Sequence, residues 1–68
     1  MLPLIGEIVN VEYLNIDEIE AVCWICQYHV LAYLDNYNMR LKLKDIGRKE
    51  LAIVKSIDSE TGRIELNF

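Results

Sequence analysis

The sequence has 68 residues, a net charge of −4 and 53% apolar side chains, too hydrophobic for a disordered chain and short enough that its single core needs tight packing or a partner. No run approaches the roughly 18 consecutive apolar residues of a membrane span, and the N-terminus lacks the basic and apolar regions of a secretory signal. A cytoplasmic protein with no membrane attachment is therefore expected.

Residues 1–4 form an apolar lead-in holding the only proline. From Ile5 the run IGEIVNVEYL alternates and predicts a first strand, with Ile8 or Val9 sharing a face with Tyr13 or Leu14. Residues 15–18 read as a turn. The stretch from 19 to 37, IEAVCWICQYHVLAYLDNY, accommodates two patterns. As a helix over about 16–37, it aligns Ile16, Ile19, Cys23, Cys26, Val30, Tyr33 and Tyr37 in one stripe. Asp17, Glu18 and Glu20 would then suit its positive N-terminal end. As two strands, it is rich in β-branched and aromatic residues, and residues 27–29 make a polar break.

Residues 35–38 carry turn chemistry, after which MRLKLK alternates as a strand, Met39, Leu41 and Leu43 against Arg40, Lys42 and Lys44. A loop over 45–49, containing Gly47, leads into a closing β-hairpin over 50–68. Leu51, Ile53, Ile64, Leu66 and Phe68 are expected on one face of the hairpin, and Glu50, Lys55, Glu65 and Asn67 on the other. Asp58 and Ser59 favour turn initiation, and Gly62 can take the positive φ that such a turn requires.

The closing stretch IVKSIDSETGRIEL resembles the end of an S1 domain, the RNA-binding version of the OB barrel. GEIVNVEYLNIDEIEAVCWI is similar to the opening two strands of that family, and HVLAYL to its third. Within the family, HVLAYLDNYNMR resembles the third strand and following basic segment of bacterial translation initiation factor one. LKDIGRKELAIVKSIDSETGRIEL is similar to the closing region of the N-terminal S1 domain of the initiation factor two α subunit. The resemblance implies a mainly β fold, a small five-stranded OB/S1-like barrel over residues 1–68 as one domain, with two strands over 19–37. The helical reading would instead give an α+β domain of order β-α-β-β-β.

The resemblance also implies a non-enzymatic binding module that meets single-stranded RNA or the ribosome in translation. The alternative is a protein-interaction module, a viral-type mimic acting as pseudosubstrate of the kinase that phosphorylates that α subunit. Residues 31–44 contain no Ser or Thr, so the chain would be a decoy and not a substrate there. It departs from the family at about Ile19, Glu20 and Val22, where S1 domains carry a glycine and exposed aromatics. Thr61 and Arg63 replace the decoy's lysine and tyrosine beside the turn glycine.

Trp24, Tyr28 and Tyr33 are candidates for stacking on unpaired bases, and on a barrel Trp24 and Tyr28 would lie opposite in parity to Cys23 and Ile25. The same rings would serve equally to fill a core or cover a partner interface. Arg40, Lys42 and Lys44 are the phosphate-contact candidates, with Arg48, Lys49 and Arg63 as outliers that a barrel could bring nearby. The charge is divided along the chain: residues 1–39 hold six acids and no Lys or Arg, whereas residues 40–68 hold all seven basic residues against five acids. The molecule is expected to be electrically two-sided.

Cys23, Cys26 and His29 have a C-x2-C-x2-H spacing, but a closed zinc site needs a fourth ligand, and residues three apart on a strand point to opposite faces. Two buried reduced thiols are the simpler expectation. His29 is the only histidine, with no triad partner or phosphate loop around it. No catalytic residue, metal or cofactor is expected.

Overall fold

The computed structural model describes residues 1–37 and 41–68. Five strands, β1 (Ile8–Ile16), β2 (Glu20–Ile25), β3 (Val30–Asp35), β4 (Lys49–Ile57) and β5 (Ile64–Asn67), form a closed barrel in the order β1-β2-β3-β5-β4. All neighbours are antiparallel except β3 and β5, which run parallel. The segment over 19–37 is thus two strands and not a helix. Its β-branched and aromatic residues suit a pleated surface packed on one side.

Closure imposes one parity around the ring. Val9, Val11 and Tyr13 point inward from β1, Ala21, Cys23 and Ile25 from β2, Ala32 and Leu34 from β3, Ala52 and Val54 from β4, and Ile64 and Leu66 from β5. A bulge between Tyr13 and Asn15 turns Leu14 and Asn15 outward and returns Ile16 to the core. Three inward alanines leave room for Tyr13, the largest fully buried side chain. Among the described residues no buried side-chain polar atom lacks a partner.

The hairpin turn forms as expected. The Asp58 carboxylate accepts the Glu60 and Thr61 amides at 2.8 and 2.9 Å, and Gly62 sits at φ +75°. At the β1–β2 turn, Asp17 accepts the Ile19 and Glu20 amides in the same way.

Two expectations are corrected. On β4, Leu51 and Ile53 face outward, 64% and 37% exposed, while Ala52 and Val54 face in. Leu-Ala-Ile-Val is apolar in either parity, and the pairing of Ala52 with inward Val9 and of Val54 with inward Leu66 decides it. Phe68 likewise lies beyond β5 and is exposed.

The stretch MRLKLK is not a strand where it is described. Met39 and Arg40 lie outside the described residues, Leu41 and Lys42 are irregular, and Leu43–Asp45 form a 3₁₀ turn. Its backbone is held by side chains instead of a ladder. Asn36, only 4% exposed, donates to the Asp17 and Leu41 carbonyls and accepts the Leu41 amide, and Asp45 accepts the Lys42 amide at 2.8 Å.

Two stability measurements check this account. Ile64→Ala, inside the barrel, is expected to cost about 2–5 kcal/mol in denaturant unfolding, whereas Ile8→Ala on the outer face shifts it by under about 0.5 kcal/mol. Acid unfolding reports the two turn carboxyls. The backbone amides hold Asp17 and Asp58 below the 3.8 of a free aspartate in the folded chain. Their stabilisation is therefore complete above that value and is lost as pH falls below it, through the lowered folded-state value. Asp17→Ala and Asp58→Ala should each lower the neutral-pH melting temperature and flatten the acid limb.

Candidate nucleic-acid interface on the β2–β3 face

Alternation along β2 turns Glu20, Val22 and Trp24 outward, and along β3 it turns Leu31 and Tyr33 outward beside them. Trp24 is cross-strand from Leu31, and Val22 from Tyr33, so the two aromatic residues occupy diagonal positions, whose backbones lie about 7–8 Å apart in such a ladder. The parallel pair Tyr33–Glu65 brings β5 and the β4–β5 turn against this face. Between them lies an open groove of about 640 Å³, lined by Leu2, Trp24, His29, Leu31, Tyr33 and Arg63 among others.

Both rings already have company. The His29 imidazole stacks on Trp24 with centroids 5.9 Å apart and planes within 18°. His29 ends the β2–β3 turn at φ 56°, a backbone conformation that histidine adopts more readily than β-branched residues. The Arg63 guanidinium lies over the Tyr33 ring, 3.9 Å from its centroid. Its Nη2 donates to Glu20 at 2.5 Å and its Nε to Glu65 at 2.8 Å, and these hydrogen bonds keep Arg63 charged.

The structure gathers Trp24 and Tyr33 but scatters the other sequence candidates. Tyr28 belongs to the β2–β3 turn, where its hydroxyl donates to Glu7 at 2.5 Å, a bond that raises the phenol and lowers the carboxyl. Lys42 and Lys44 sit on and beside the 3₁₀ turn, Lys42 lining a separate shallow hollow with Asp17 and Glu18 at the far end of β2. From Glu18 to Trp24 is six residues, about 20 Å of extended chain. Arg40 lies outside the described residues. Arg48 serves the core, its guanidinium bridging Asp45 and Glu50 and lying 5.6 Å from the Tyr13 ring centroid.

Of the outlying basic residues that a barrel could bring near, it is Arg63 that reaches the groove, together with His29 and Leu31, to which the sequence pattern gave no surface role. Parity along β3 was the available signal for Leu31. Nothing local announced the other two, because a strand pairing and a left-handed turn residue place them.

The C-x2-C-x2-H residues diverge. Cys23 points into the core, Cys26 lies half-buried on the turn, and His29 lies against Trp24. Among the described residues no group of three or more His, Cys, Asp or Glu side chains is placed to hold a metal. Burial, and then the Glu50 charge, push the Cys23 thiol up to about 11. Burial followed by the Glu50 hydrogen bond raises the Tyr13 phenol as well.

The closed five-stranded order β1-β2-β3-β5-β4 is that of an OB-fold barrel. No protein-family model and no curated protein matches the sequence. Among solved structures, a chain of the a/eIF2alpha–aDim2p–rRNA complex from Pyrococcus horikoshii OT3 is similar, with a TM-score of 0.81 and 24% identity over 98% of this chain. This chain spans 45% of that one. Among the described residues no helix is long and apolar enough to cross a membrane.

Thiol labelling tests the inward parity of β2. In the folded protein at neutral pH one thiol, Cys26, is expected to react with a maleimide, and both after denaturation. Rapid labelling of two thiols in the folded state would contradict a buried Cys23.

Proposed function

We propose that the chain is a non-catalytic, translation-related module that binds single-stranded RNA along the β2–β3 face. The observation that carries this reading is the outward pair Trp24 and Tyr33, diagonal on one open groove with a guanidinium at its wall. Rings on diagonal positions of one face can stack unpaired bases, which is sequence-tolerant because every base offers a π-face. A strand entering at Trp24 and following β2 toward its start would reach Lys42 and Lys44 as phosphate contacts. The groove presents rings, aliphatic groups and a cation, a set suited to holding a ligand. Fold likeness adds support, since the similar solved chain belongs to a complex containing rRNA.

The setting is expected to be the cytoplasm, with single-stranded RNA free or within the ribosome as partner. Phosphate contacts are few on an acidic protein, so affinity should be modest and fall with salt.

Trp24 is the only tryptophan and reports directly on the groove. Its emission should change saturably when single-stranded RNA is added at low salt, with weaker binding at physiological salt. Trp24→Ala, followed by electrophoretic shift, and Tyr33→Ala should each weaken binding by about 1–3 kcal/mol. Lys42→Ala and Lys44→Ala should each reduce the log–log salt slope by about 0.7. A flat titration at low salt removes RNA binding through this face and turns attention to a protein partner.

A further inference from the structure

Arg63 is the cation best placed to meet a phosphate in the groove, yet its Nε and Nη2 are already committed to carboxylates. One guanidinium is shared between the Glu20 and Glu65 carboxylates, so the cluster carries a net charge of about −1 toward an approaching phosphate. At 3.9 Å from the Tyr33 centroid, it also occupies the ring face that a base would need. Presenting its forked Nε–Nη2 edge to a phosphate and leaving Tyr33 free for a base both require Arg63 to move. We propose that Glu20 and Glu65 hold Arg63 as a latch over Tyr33, and that a single-stranded RNA phosphate opens the groove by taking Arg63 from them. This rests on the RNA-binding reading and adds how the same site is controlled.

The geometry favours exchange over a permanent staple. The Arg63, Glu20 and Glu65 side chains are 41%, 34% and 39% exposed, so water and salt reach both ion pairs and weaken them. A phosphate accepts the same forked hydrogen bonds as a carboxylate, so it can replace one without loss of geometry. The backbone of Arg63 stays fixed while the side chain swings, because its carbonyl accepts the Asp58 amide across the turn. Release of the guanidinium bares Tyr33 next to Trp24, so capturing a phosphate and exposing a second stacking surface become one event. The latch makes the groove selective for a ligand that brings phosphate and base together.

The test follows Trp24 emission as an oligouridine of about twelve nucleotides, within the span of one OB fold, is titrated into four proteins. These are the wild type, Glu20→Gln/Glu65→Gln, the same pair with Arg63→Gln added, and Glu60→Gln. The last removes one charge from the exposed β4–β5 turn without touching the latch or the residues that line the groove. The double variant is expected to bind about fivefold tighter, with a steeper salt dependence because no carboxylate recaptures a cation on binding. Adding Arg63→Gln should abolish the gain, and Glu60→Gln should change affinity by under about twofold.

In the wild type, the Arg63 side-chain proton resonances should lie upfield from the Tyr33 ring current and move back when RNA is added. If the wild type binds and the double variant, folded by circular dichroism, binds no better, the ion pairs are a structural staple and the latch is wrong while RNA binding stands. If neither binds at low salt, RNA binding itself fails and the latch with it.

Discussion

Two residue pairs, Tyr33–Glu65 and Leu34–Leu66, close the barrel, and the rest of the structure depends on them. Parallel pairing is slightly less stable per residue than antiparallel, and here it is short, so side-chain packing on both sides of the seam supports it. Ile64 and Leu66 bury inward next to Leu34, and Arg63 crosses the outside from β5 to reach Glu20 on β2. Without closure, β3 and β5 would be open edges able to pair with other chains. Closure also makes the groove, since it sets the β4–β5 turn against Trp24, Leu31 and Tyr33.

Two arginines show how the partners behind an ion pair give one chemistry two roles. Arg48 bridges Asp45 and Glu50, and Glu50 in turn accepts the hydroxyl of fully buried Tyr13 at 2.6 Å. The backbone reinforces that network, because Tyr13 donates to the Arg48 carbonyl and accepts the Gly47 amide. Little water competes at the buried phenol, so its hydrogen bond ties the loop after the 3₁₀ turn to β1. Arg63 is no more exposed than Arg48, 41% against 52%, but neither of its carboxylate partners bonds a buried side chain, so another anion can compete for it without disturbing the core. The first arrangement holds the fold, and the second is free to respond to a ligand.

The same folding removes the two-sided charge expected from the sequence. Arg63, from the basic half, lies on Glu20 from the acidic half, and Lys49 stands cross-strand from Glu12. A barrel whose first strand lies between its second and fourth interleaves the halves of the chain. Charge separated along the sequence is therefore mixed on the surface, and the groove sees local pairs more than a long-range dipole.

Much of the fold was legible in the residues. The alternation in IELN, the Asp58–Gly62 turn chemistry and the β-branched run before Tyr13 are local signals, and each acts through backbone geometry that neighbours in sequence set. Trp24 and Tyr33 were legible as stacking candidates, but filling a core served them equally well until the register of β2 and β3 turned both outward. Tertiary structure alone decided the face of β4, because Leu51, Ala52, Ile53 and Val54 are apolar in both parities and only pairing with β1 and β5 distinguishes them. It decided that Lys42 leaves the strand pattern, because Asn36 and Asp45 take up the backbone groups a ladder would have used. It also decided that Arg63 belongs with Tyr33 and Glu20, residues 30 and 43 positions away, since a contact made across a barrel seam leaves no periodic trace in the chain that forms it.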